Sequence, residues 1–135
     1  MARAITCSSA RAAAGVANLK LLDDLDLITN NREVGGYLNK TMAEALGHHP
    51  NVGEVRGEGM LCAVEFVKDR DSRTFFDAAD KVGPQISAAL AADHVIARAM
   101  PQGDILGFAP PFCLTRAEAD EVVEKTAKAV KTVLG

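Results

Sequence analysis

The stretch from Val95 to Glu118 constrains this chain more than any other, because one short run dictates strand, turn, strand, stop and helix start. Val95 and Ile96 open an apolar run of strand type. Pro101, Gln102, Gly103 and Asp104 supply turn chemistry, with proline fixing φ and glycine free to take positive φ. Ile105, Leu106 and Phe108 resume the strand, and Pro110-Pro111 ends it, since neither residue can donate to a ladder. Thr115 and Glu118 have the spacing of a capping box at the start of a helix. Arg98 falls where the first strand enters the turn. A guanidinium there can point off the sheet and grip a carboxylate with two parallel hydrogen bonds. The plainer alternative is a strand-end arginine lying in solvent.

The rest of the chain supplies layers for this unit. Alanine-dense residues from Ser9 to Asp23 suit a helix with little side-chain bulk. Such a helix suits tight packing against another layer. Asp23, Asp24 and Asp26 are cap candidates for a second helix from Leu27 to Leu46. Its stripe is Leu27, Val34, Leu38, Met42 and Leu46, and Gly47 to Pro50 ends it. Val52 to Val67 reads as strand, kink, strand, with Gly57-Glu58-Gly59 marking a bulge or a close backbone approach. A charged connector follows from Lys68 to Arg73, then Phe75 and Phe76, which fold back on the core or face a partner. A third helix is expected from Ala79 to Ala92, with Pro84 in its first turn, and a last one from Thr115 to Val133. Strands mixed with helices and joined by tight turns imply an α+β fold: a small, mainly antiparallel sheet with helices packed on it.

Composition narrows the function classes. Tryptophan is absent and aromatics make up 4% of the chain, so the core must be aliphatic. A net charge of −3 argues against nucleic acid and against an anionic membrane surface. Cys7, Cys62 and Cys113 are odd in number and lack metal-ligand spacing, which suits a reducing cytoplasm. His48 and His49 diverge as neighbours, and no acid or thiol beside them completes a ligand set. Gly57-Glu58-Gly59 lacks the third glycine of a dinucleotide loop, and a strand rather than a helix follows. Arg3 and Arg11 in an acid-free front end give a superficial look of a transit peptide; an alanine-rich helix start is the simpler reading.

Three stretches in order carry a family resemblance. Val52-Gly-Glu-Val-Arg-Gly-Glu-Gly-Met-Leu-Cys-Ala-Val-Glu, the run from Ile96 to Pro111, and Leu114-Thr-Arg-Ala-Glu-Ala-Asp resemble the C-terminal part of class III, pyridoxal-phosphate-dependent aminotransferases, the ω-transaminase group. The resemblance implies that residues 15–135 form the small C-terminal domain of such an enzyme, with 1–14 an atypical remnant. It implies pyridoxal 5'-phosphate in the intact enzyme and none bound to this chain alone. It also implies amine and keto acid substrates, a missing large domain and a homodimer in the cytoplasm. In the family the cofactor's lysine lies upstream, in the large domain. None of Lys20, Lys40, Lys68, Lys81, Lys125, Lys128 or Lys131 reads as its equivalent, so no catalytic or cofactor-binding residue is expected here. Thr6 stands near the family's phosphate-touching threonine, but its flanking residues differ. The family's mobile, carboxylate-binding arginine matches Arg98 when the loop through Met100 to Gly103 is allowed to be slightly longer; without that allowance Met100 takes its place. Arg56 is the rival, although beside Gly57 it suits a tie between strand and loop. Two other functions remain open: a free-standing α+β interaction module, and a small-molecule sensor that uses Arg98.

Overall fold

A computed structural model describes residues 9–101 and 104–135. The elements in order are α1 (Ser9–Asp24), α2 (Leu27–Leu46), β1 (Val52–Glu58), β2 (Leu61–Phe66), α3 (Val82–Ala92), β3 (Arg98–Ala99), β4 (Ile105–Phe108) and α4 (Arg116–Leu134). The four strands form one sheet in the order β1-β2-β4-β3, and every neighbouring pair is antiparallel. The α+β expectation therefore holds.

Side-chain alternation decides which face the helices cover. Cys62, Val64 and Phe66 of β2 and Leu106 and Phe108 of β4 are buried. The residues between them, Ala63, Glu65, Ile105 and Gly107, point to the other face. The buried stripe of α2, made by Val34, Leu38, Met42 and Leu46, closes on the first face together with Ile86 and Leu90 of α3 and Val123 and Val130 of α4. Phe66, Leu38 and Ile86 are among its fully buried anchors. Phe76 packs against this core, while Phe75 stays 59% exposed. The opposite face of the sheet carries no helix among the described residues.

Turns and caps follow local chemistry with informative departures. Thr115 and Glu118 form the capping box: Glu118 N–H donates to Thr115 Oγ1 at 3.2 Å, and Thr115 N–H donates to the Glu118 carboxylate at 2.8 Å. Gly57 to Gly59 is not a bulge. Glu58 pairs with Leu61, so Gly59 and Met60 form a two-residue hairpin turn, with Gly59 at φ 54. The register slip lies earlier, between Val52 and Glu54. The close approach is real: a Cβ on Gly35 would run into the Gly59 backbone. Asp26 sits before α2 in the left-handed region at φ 46 and caps no backbone N–H; its carboxylate instead accepts from Thr29 Oγ1 at 2.9 Å. α3 starts at Val82, not Ala79, because Lys81 takes φ 48 and breaks the helical run.

Candidate functional site

Arg98 stands on β3, the edge strand, and is exposed. Its neighbours Ala97 and Ala99 turn toward the core, so Arg98 projects from the helix-free face. Register places it in one row across the sheet: Arg98 opposite Gly107, Gly107 opposite Ala63, Ala63 opposite Arg56. Small residues thus floor the space between two guanidiniums. Met100 shares the face with Arg98, and its Cε lies where a Gly107 side chain would be.

The two arginines differ in what occupies them. Arg56 donates to Glu54 at 2.7 Å and to Glu65 at 2.8 Å, and those bonds raise its pKa further. It ties β1 to β2 rather than strand to loop. Arg98 has no ion-pair partner among the described residues. A guanidinium left uncommitted on an open face is available to a carboxylate; one already held by two glutamates is not. Next to Met100, an open cleft of about 800 Å³ is lined by Phe75, Phe76, Lys81, Pro84 and Asp104, and Arg98 lies outside that lining.

The lysines occupy a different chemical setting from a covalent cofactor site. Of the seven, Lys20, Lys40, Lys68, Lys81, Lys128 and Lys131 are exposed. Lys20 is bonded to Asp24 at 2.6 Å and Lys128 to Asp93 at 2.8 Å. Lys125 is half-buried, but its bond to Glu121 raises its pKa, the opposite of what a lysine attacking an aldehyde needs. These environments do not fit a pyridoxal-bearing lysine. No group of three His, Cys, Asp or Glu side chains could hold a metal among the described residues, and His49 instead accepts from the Asn51 N–H through Nδ1 at 3.2 Å. Thr6, Cys7, Gln102 and Gly103 lie outside the described residues.

A model of the aminotransferase class-III family matches residues 7–130. This chain belongs to the class III aminotransferases. It is 52% identical over 121 residues to a diaminobutyrate–2-oxoglutarate transaminase of Halomonas elongata, covering 90% of this chain and 26% of that protein. A transaminase structure from directed evolution by ancestral reconstruction superposes with a TM-score of 0.90 at 56% identity, over 91% of this chain and 27% of that one. An (S)-enantioselective ω-transaminase from Thermomicrobium roseum gives 0.82 at 37% identity, over 89% and 26%. The chain thus spans about a quarter of the length of these class III relatives.

Several residues that hold the elements around Arg98 in place carry no local sequence signal. Asn30 donates to the carbonyls of Phe112 at 2.6 Å and Leu114 at 3.0 Å, holding the segment after Pro110-Pro111 against α2. Asn31 accepts from Met60 N–H at 2.9 Å, and Asn39 donates to Gly59 at 2.8 Å, so α2 also grips the β1–β2 turn. Asp104 accepts the Gly83 N–H at 2.8 Å, and Ser87 donates to the Ala97 carbonyl at 2.7 Å. Asparagines on a polar helix face read as solvated until their long-range partners are known.

Proposed function

We propose that residues 15–135 are the C-terminal small domain of a pyridoxal-phosphate-dependent class III aminotransferase, with residues 1–14 an atypical lead-in. The intact enzyme moves an amino group from an amine or amino acid to a keto acid such as pyruvate. It works as a cytoplasmic homodimer, with the cofactor's lysine on a large domain outside this chain. The diaminobutyrate and 2-oxoglutarate in the Halomonas relative's name make carboxylate-bearing substrates the natural class.

The observation that carries this reading is Arg98: exposed, unpaired among the described residues, and standing on the face of the sheet that the helices leave open. Its role is to bind a substrate carboxylate by paired, charge-assisted hydrogen bonds.

The direct test adds pyridoxal phosphate to the purified chain and looks for the near-visible absorbance of a lysine-bound pyridoxal. The expected result is no band that an amine donor removes. A band discharged by alanine would place the covalent lysine in this chain and overturn the division of labour.

A further inference from the structure

β3 is only two residues long, so pairing with β4 gives Arg98 little support by itself. α3 adds two bonds, both near the same pair of strands and one helical turn apart. Ser87 Oγ donates to the carbonyl of Ala97 at 2.7 Å, and that peptide leads directly into Arg98. Gly83 N–H donates to Asp104 Oδ1 at 2.8 Å, at the residue where the chain enters β4. The Asp104 carbonyl in turn accepts from Phe66 N–H at 2.8 Å, so Asp104 ties β4 to α3 through its side chain and to β2 through its backbone.

Each bond answers a local deficit. Ala97 is buried, and a buried carbonyl without a partner is costly. Serine within a helix usually turns back to its own backbone, and alanine would serve the helix better. Ser87 reaches across to another element instead. Lys81 opens α3 with no side-chain cap, and Asp104 supplies both the missing acceptor and a negative charge at the helix N-terminus.

We infer that Ser87 and Asp104 are positioning residues for Arg98, with α3 holding both legs of the β3–β4 pair and the Ser87 hydroxyl fixing the peptide from which the guanidinium projects. The role in substrate binding rests on the carboxylate assignment above. α3 is thereby the platform that aims Arg98.

The test compares the isotope-labelled full chain with Ser87→Ala and Ser87→Thr by nuclear magnetic resonance. Amide exchange at Arg98 and Met100 and the order parameter of the Arg98 Nε–H are read, with 2-oxoglutarate titrated into each sample. Losing one hydrogen bond should speed exchange at Arg98 and Met100 by about fivefold to tenfold in Ser87→Ala. The Nε–H order parameter falls, amides of Ile86 and Leu90 keep their protection, and Ser87→Thr restores the original values. Unchanged exchange at Arg98, or equal loosening along all of α3, overturns the positioning role. An Arg98 that ignores 2-oxoglutarate in the unaltered chain while the exchange difference persists overturns the carboxylate assignment and leaves the positioning role of Ser87 standing.

Discussion

Gly35 and Gly36 are neighbours in α2 with opposite surroundings. A Cβ at Gly35 collides with the Gly59 backbone, whereas one at Gly36 meets open space. Gly35→Ala should therefore destabilise the fold by about 1–3 kcal/mol through overpacking against a turn that has no room to yield. Gly36→Ala should stabilise it by about 1 kcal/mol through helix propensity. Denaturant titration of both variants checks the pair. In the sequence the two glycines look alike, each a weak point of the helix. Only the hairpin turn arriving from residues 59 and 60 separates them. The cysteines divide in the same way. Burial pushes the Cys62 thiol from its ordinary value of 9.0 up to about 11, while Cys113 is exposed. Unfolding lets Cys62 ionise at the lower value, so its contribution is intact below pH 9 and is lost as pH rises toward 11. Peptide mapping after maleimide treatment of the native chain at pH 8 should find Cys113 modified and Cys62 protected.

At the scale of elements, what could be read from sequence was whatever local chemistry decides. The α2 stripe, the Thr115–Glu118 box and the Pro110-Pro111 stop needed no distant partner. Thr115→Ala should cost about 1 kcal/mol of stability, seen as a lower denaturation midpoint with an unchanged slope. The Thr115 N–H and hydroxyl hold the Glu118 carboxyl below its usual range. That contribution is present at neutral pH and is lost as pH falls through the depressed value. The elements less legible in sequence are those set by distant residues. Val95 and Ile96 have strand composition, yet β3 contains only Arg98 and Ala99, and Ile96 is 95% exposed. Once Ser87 takes the Ala97 carbonyl, the chain before Arg98 is held by α3 rather than by a ladder. Likewise, α3 is capped by Asp104, 21 residues downstream of Gly83, a distance that no capping pattern spans.

At the scale of the whole molecule, two surfaces lack cover among the described residues. Every α1 residue from Ala10 to Leu21 is exposed, and Val16, Leu19 and Leu21 show more than half of their surface. An alanine-rich helix whose valine and leucines face solvent suits packing against a further layer. Replacing Val16, Leu19 and Leu21 by glutamine should raise the soluble yield of the isolated chain and leave its melting temperature unchanged, because these side chains bury little. A fall in melting temperature would mean that α1 supports the core directly. The second is the sheet face that carries Arg98, where the proposal above puts the substrate carboxylate. The measurement that tests this most directly is made on a fusion in which the chain replaces the matching quarter of the Halomonas elongata transaminase. With Arg98→Ala, kcat/KM for a carboxylate-bearing amino donor should fall about 10- to 100-fold, as expected for a lost charge-assisted pair. The value for a simple amine without a carboxylate should stay where it was. Equal rates for the two fusions on both donors, or an equal loss on both, would contradict the assignment of Arg98 as the carboxylate clamp.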